Sequence, residues 1–189
     1  MENRIARRNV ALYKLFVLFN EPLFWGPILI VSLQRLGFMS LPDIYFMESA
    51  VMVIAILLNA PTGALADVIG RKQTLIIGRI FLLASIAGFA IMSSPIGAWT
   101  ANIIWVIGYS FQSGADEALV YNTLKDAGLE KSFTKIQGCA IGSRYILIAF
   151  CSLGVGFLAE INLRLPLILS IPFAFIPLIA SFFLKEERM

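Results

Sequence analysis

Two groups of polar and aromatic residues interrupt long apolar runs of the chain. Asn20, Glu21 and Trp25 form the first group, beside Pro22, which removes one backbone hydrogen bond. The second group recurs at spacings of 3, 4, 3 and 4 and so shares one helical face: Asn102, Trp105, Tyr109, Gln112 and Asp116. A carboxylate, amides, an indole and a phenol can together bind a small solute, and the carboxylate can carry a proton.

These groups predict a cavity that binds a small solute. Its expected polar lining is Asn20, Glu21, Trp25, Asn102, Tyr109 and Gln112. The alternative is that the same side chains only form hydrogen bonds between neighbouring helices.

Charged side chains also stand near the ends of the apolar runs. The long side chains of Arg79 and Arg144 can reach the lipid headgroups, or they can pair with Asp116 or Glu117. Pairing is favoured, because a lone buried charge is costly. We therefore expect an inner charge network of Arg79, Asp116, Glu117 and Arg144. Glu48 is expected to be a rim residue rather than a coupling site.

The composition indicates an integral membrane protein. The 189 residues are 59% hydrophobic and 14% charged, with a mean hydropathy of +0.83. A soluble domain has about 45–50% apolar and ~25% charged residues, and one core could not bury this much apolar surface. A net charge of +3 is too small to predict a nucleic-acid partner, and the lack of histidine excludes His-ligated metal sites.

Six apolar runs are long enough to cross a bilayer, which takes about 20 residues. They cover about residues 10–33, 44–66, 74–92, 98–118, 141–159 and 165–184. Residues 120–137 are expected to form a charged cytoplasmic loop within a single domain, 1–189. The predicted fold is therefore an all-α integral membrane protein with six transmembrane helices.

The basic residues predict which side each end faces. If the N-terminus is inside, the outer turns hold only Arg35 and Arg164. The inner segments then hold eleven: Arg4, Arg7, Arg8, Lys14, Arg71, Lys72, Lys125, Lys131, Lys135, Lys185 and Arg188. Cytoplasmic segments carry such an excess. We therefore expect a multi-pass protein of the cell (plasma) membrane with both termini cytoplasmic.

A short motif lies between the second and third runs, where the chain reads GALADVIGRK from residue 63 to residue 72. Gly63 lets another helix approach closely. Asp67 can meet a helix N-terminus, and Gly70 permits a tight turn. Arg71 and Lys72 can anchor the turn among lipid headgroups. The plain alternative is a polar turn with cytoplasmic positive charge.

This motif matches G-x-L-x-D-x-x-G-R-[RK], a signature of the major facilitator superfamily. Over its whole length the chain resembles the N-terminal six-helix half of such a transporter. The sequence SGADEAL at residues 113–119 supports the resemblance. It implies a 3+3 half bundle, a central cavity bordered by the first and fourth helices, and a conformational gate formed by Gly63, Asp67, Gly70, Arg71 and Lys72.

Members of this superfamily have about twelve spans in two halves. The expected gate partner is therefore a missing C-terminal six-helix half or a second copy of the chain. The fifth run lacks the G-x-x-x-G-P-x-x-G-G pattern of proton-coupled drug antiporters, so drug export is not expected.

The predicted function is secondary transport of a small solute by alternating access, with Glu21 as the proton- or cation-linked group. The expected partners are the lipid bilayer, an unidentified solute and protons. The alternative is a truncated or accessory membrane protein with a scaffolding role. No Walker loop, G-x-S-x-G or metal-ligand cluster occurs, so no enzyme activity, catalytic residue, cofactor or metal is expected.

Overall fold

The computed structural model describes residues 2–186, with side chains from residue 5, and is all-helical over that range, as predicted. Its helices are α1 (Glu2–Leu18), α2 (Leu29–Arg35), α3 (Leu41–Ile69), α4 (Arg71–Ile91), α5 (Pro95–Gln112), α6 (Ala115–Asp126), α7 (Phe133–Ile161) and α8 (Leu165–Phe183). Single 3-10 turns occupy Gly26–Ile28 and Glu130–Ser132. Arg188 and the side chain of Arg4, two of the predicted inner cations, lie outside the described residues.

Within residues 2–186, four helical segments are long and apolar enough to cross a membrane: Leu41–Ile69, Arg71–Ile91, Glu130–Ile161 and Leu165–Phe183. Their mean hydropathy over 18 residues lies between 1.7 and 2.2. They correspond to the predicted second, third, fifth and sixth runs. The chain is therefore a helical protein with four candidate membrane-spanning helices.

The other two predicted spans are not continuous helices. In the run 10–33, α1 ends at Leu18, and regular helix resumes only at α2. Pro22 lies in this break, where it has no N–H to continue the helical ladder. In the run 98–118, α5 ends at Gln112 and Gly114 adopts a left-handed φ of 77°, which glycine accepts without a steric penalty.

The predicted loop 120–137 is mostly helical. α6 continues to Asp126, and α7 begins at Phe133. Acidic residues in the first turn of α6 and Lys125 in its last turn complement the helix dipole. Leu119 and Leu124 belong to a buried cluster with residues of α1. This burial stabilises a helix despite its high charge, and the cytoplasmic position of the segment stays a prediction.

The bundle is built around α4. α4 packs along both α5 and α8. A Cβ at Gly78 would lie 2.8 Å from the carbonyl oxygen of Gly108, and a Cβ at Gly108 would lie 2.8 Å from that of Gly78. Only glycine permits backbones to meet at this distance. The α4–α5 contact is therefore fixed by this pair of residues.

Hydrogen bonds join helices at each end of the bundle. At one end, the Asn9 amide donates to Thr123 Oγ1 (3.1 Å) and to the carbonyl of Lys185 (2.7 Å). At the other, Arg164 donates to the carbonyls of Ala90 (2.6 Å) and Met92 (2.7 Å), which end α4. α1, α6 and the segment after α8 thus meet at one end of the bundle.

Candidate functional site

A cavity of about 440 Å³ opens between the helix break after α1 and the helices α3, α4, α5 and α7. Pockets that bind small molecules are typically about 300–1,000 Å³, with mostly apolar walls and a few polar groups. The apolar and aromatic walls here include Leu29, Val51, Met52, Ala55, Leu82, Phe89, Trp105, Val106 and Ile148.

All six residues predicted for the cavity line it: Asn20, Glu21, Trp25, Asn102, Tyr109 and Gln112. Helical spacing places Asn102, Tyr109 and Gln112 on one face of α5, whereas Asp116 of the same sequence group lies in α6, after the break at Gly114. The break in the first helix brings the first group against this face, where Asn20 bonds to Gln112. That these residues bind a solute stays a prediction.

The backbone of the break is held by Arg79. Its guanidinium donates to the carbonyl of Asn20 at 3.1 Å, and the Asn20 side chain accepts from Gln112 Nε2 at 2.6 Å. Arg79 is only 3% exposed and lies 4.3 Å from the ring centroid of Phe16. A carbonyl freed from the helical ladder needs such a donor, so this arginine stabilises the irregular backbone.

Glu21 forms an ion pair with Arg144 of α7, with 3.2 Å between Oε1 and Nη1. It is the one ion pair among the residues that the structure describes. The Arg144 side chain is 12% exposed and that of Glu21 is 46% exposed. The carboxylate therefore sits at the mouth of the cavity, and the pair ties α7 to the helix break.

Within residues 5–186 no ion pair joins the residues of the predicted inner charge network to one another. Arg144 pairs with Glu21 instead of an acidic residue of α6, and Arg79 is directed to Asn20. Asp116 accepts a hydrogen bond from the backbone N–H of Glu117 at 2.9 Å. The helix break thus offers both arginines acceptors, and an inner charge network of these four residues stays a prediction.

Glu48, expected at the rim, is exposed and also lines the cavity. Glu48 Oε1 accepts a hydrogen bond from Asn102 Nδ2 at 2.8 Å. Val51 and Ala55 of the same helix face also line the cavity. This spacing of three and seven residues is the sequence signal that could have found Glu48.

Two buried polar atoms of cavity residues have no hydrogen-bond partner within the described part of the chain. They are Nε1 of Trp25, a donor, and Oε1 of Gln112, an acceptor. The two side chains are 7% and 5% exposed. A buried unsatisfied group costs about 1–3 kcal/mol, so a rearrangement that gave either atom a partner would stabilise this part of the structure.

The gate motif lies at the end of the bundle where α1 begins. Gly63 and Asp67 are exposed on α3, and nothing lies within 4 Å of a Cβ built at Gly63. Gly70 has a φ of 98°. The carboxylate of Glu186 accepts from the backbone N–H groups of Arg71 (2.8 Å) and Lys72 (3.0 Å). Glu186 thereby caps α4, while the Asp67 side chain is exposed on the surface of α3.

No protein-family model matches the chain, and no curated protein sequence matches it significantly. The relation to the major facilitator superfamily rests on the residues of the 63–72 motif and the 113–119 segment, and it stays a prediction.

Proposed function

We propose that the chain is a six-helix half of a secondary transporter that moves a small solute by alternating access. The observation that carries the proposal is the cavity of about 440 Å³ with its polar lining on the helix break and α5. Transporters place their sites near the bilayer midplane, where discontinuous helices present irregular backbone to the substrate. The break after α1 has this character.

In this proposal six segments cross the membrane. The four candidate spanning helices are joined by a first span over about residues 10–33, from α1 into α2, and by a fourth over about residues 98–118, from α5 into the first turn of α6. Non-helical backbone is tolerated at membrane depth only where it lines a cavity or is buried in protein. At Asn20 the backbone carbonyl accepts from Arg79 and the side chain, which lines the cavity, accepts from Gln112.

The Glu21–Arg144 pair is the proposed coupling element. Protonation of the Glu21 carboxylate, or its binding to a cation, would neutralise the charge that attracts Arg144. The contact between the helix break and α7 would then weaken, and α7 could move away from the cavity mouth. A proton taken up from one side would be released to the other when the ion pair re-forms.

The proposed orientation places both termini in the cytoplasm of a cell whose plasma membrane holds the protein. The gate would close against a C-terminal six-helix half or a second copy of the chain. Its exposed residues Gly63 and Asp67 are the ones that would meet this partner. Support comes from the excess of basic residues at the inner end.

Thiol accessibility along α5 tests the proposal. Cys139 and Cys151 are first replaced by Ser, because both are free. Single cysteines are then placed at Asn102 and Tyr109, which line the cavity, and at Ile103, which is 36% exposed on the same helix and does not line it. In lipid vesicles, a charged thiol reagent should label the two cavity positions and spare the Ile103 position. Uniform protection would contradict the proposal.

The second candidate is an accessory or scaffolding membrane protein. It is favoured by the mutual pairing of cavity side chains, since Glu48 bonds to Asn102, Asn20 to Gln112, and Glu21 to Arg144. Such contacts also hold packed helices together. In that case the Asn102 and Tyr109 positions would be as protected as the Ile103 position.

A further inference from the structure

The ionisable groups that line the cavity are of one sign. Glu21 and Glu48 are its carboxylates, and within residues 5–186 no lysine or arginine lines it. Glu21 has its cation in Arg144. Glu48 has only the neutral amide of Asn102, at 2.8 Å. A carboxylate at membrane depth is costly without a partner of opposite charge, and here a bound molecule could supply it.

Aromatic rings form a second part of the same wall. The ring of Trp25 lies 4.8 Å from that of Trp105 and 4.7 Å from that of Phe89, measured between centroids. All three residues line the cavity. The faces of indole rings attract organic cations, and their area favours an apolar body beside the charge.

The polar side chains of α5 give the length of the cavity. Asn102 and Gln112 are ten residues apart on α5, which is about 15 Å along a helix. The Glu48–Asn102 pair and Gln112 thus mark two ends of an elongated cavity.

We infer that this cavity binds a small organic cation, an amine with an apolar body, whose ammonium group lies on Glu48 and whose body packs against Trp25 and Trp105. This inference rests on the proposed function, for which it names the class of solute. Glu48 is the charge that selects the solute, while Glu21 and Arg144 keep their coupling role.

Three probes of similar size and different charge test the inference: phenethylammonium, 2-phenylethanol and phenylacetate. Their binding to the purified protein in lipid nanodiscs is followed by tryptophan fluorescence and calorimetry. We expect phenethylammonium to bind about tenfold or more tightly than 2-phenylethanol, because a charged hydrogen bond and a cation–π contact are added. Phenylacetate should show no binding. Equal binding of the neutral probe, preference for the anion, or no binding of any probe would overturn the inference.

A substitution locates the binding. Glu48→Gln keeps a side-chain oxygen for Asn102 and removes the charge, so phenethylammonium affinity should fall about tenfold or more. Glu160→Gln, at an exposed position near the end of α7, is the control and should change nothing. Unchanged affinity in Glu48→Gln would refute the role of Glu48. Thiol labelling distinguishes failure of this inference from failure of the proposed function. Labelled cavity positions with no preference for the cation would refute only the inference. Protected cavity positions would refute the proposed transporter.

Discussion

Substitution of Gly70 or Glu186 tests how the turn before α4 is built. Gly70 has a φ of 98° and a ψ of 144°, a backbone conformation that side chains other than glycine rarely adopt. The Glu186 carboxylate accepts the first two backbone N–H groups of α4, at 2.8 and 3.0 Å. A Cβ at residue 70 would lie 3.0 Å from Glu186 Oε2. The two residues therefore share one small space.

The expected costs follow from these contacts. Gly70→Ala should lose about 1–3 kcal/mol through backbone strain. Glu186→Ala removes a helix cap and should lose about 0.5–2 kcal/mol. For a chain of this size each kcal/mol lowers Tm by about 2–4 °C. Because the new Cβ would displace the carboxylate that the second variant removes, the double variant should cost less than the sum.

Thermal unfolding of the purified protein in detergent, followed by circular dichroism, measures these costs. Glu160→Ala is the matched control, since Glu160 is exposed near the end of α7. The reasoning would be refuted if Gly70→Ala melted with the control. Strict additivity in the double variant would refute the shared contact.

Three further predictions concern the Glu21–Arg144 pair, the α4–α5 contact and the contact of Arg164 with the end of α4. Glu21→Gln should lower stability by less than about 1 kcal/mol, because the pair with Arg144 is partly exposed. The same variant should abolish proton uptake driven by a solute gradient in proteoliposomes. Proton uptake at the wild-type rate would contradict the proposed coupling role. Gly108→Ala should cost about 1–3 kcal/mol in thermal unfolding, because its Cβ would lie 2.8 and 2.9 Å from backbone atoms of α4. Gly142→Ala is the control and should cost nothing, because nothing lies within 4 Å of a Cβ built there. Equal Tm values for the two variants would contradict the close α4–α5 contact. Arg164→Met should cost about 1–3 kcal/mol in chemical denaturation by leaving two α4 carbonyls without a donor; an unchanged midpoint would show that water replaces the guanidinium.

The parts of the fold that follow from local rules could be predicted from the sequence. Four long apolar runs give the four candidate spanning helices, because the bilayer fixes their length and polarity. The polar face of α5 follows from helical spacing alone, so Asn102, Tyr109 and Gln112 could be placed on one wall. Pro22 marked a weak point in the first span.

The remaining features depend on how distant helices lie against one another. Pro22 indicates a missing hydrogen bond, but the length of the break depends on Arg79, which holds the freed carbonyl from α4. Arg144 pairs with Glu21 because of the position of α7, which no spacing within α7 encodes. Likewise, Glu48 faces the cavity because α3 packs on α5 in one particular rotation. Glu186 reaches the turn before α4 across more than a hundred residues of sequence.

Accessibility of the Tyr109 position from both sides of the membrane tests the central claim most directly. Tyr109 lines the cavity and is 51% exposed. In sealed vesicles of known orientation, Tyr109→Cys in the background without Cys139 and Cys151 is treated with an impermeant thiol reagent from one side or the other. Alternating access predicts labelling from each side. Complete protection from both sides would contradict a transport cavity and favour a packed scaffold.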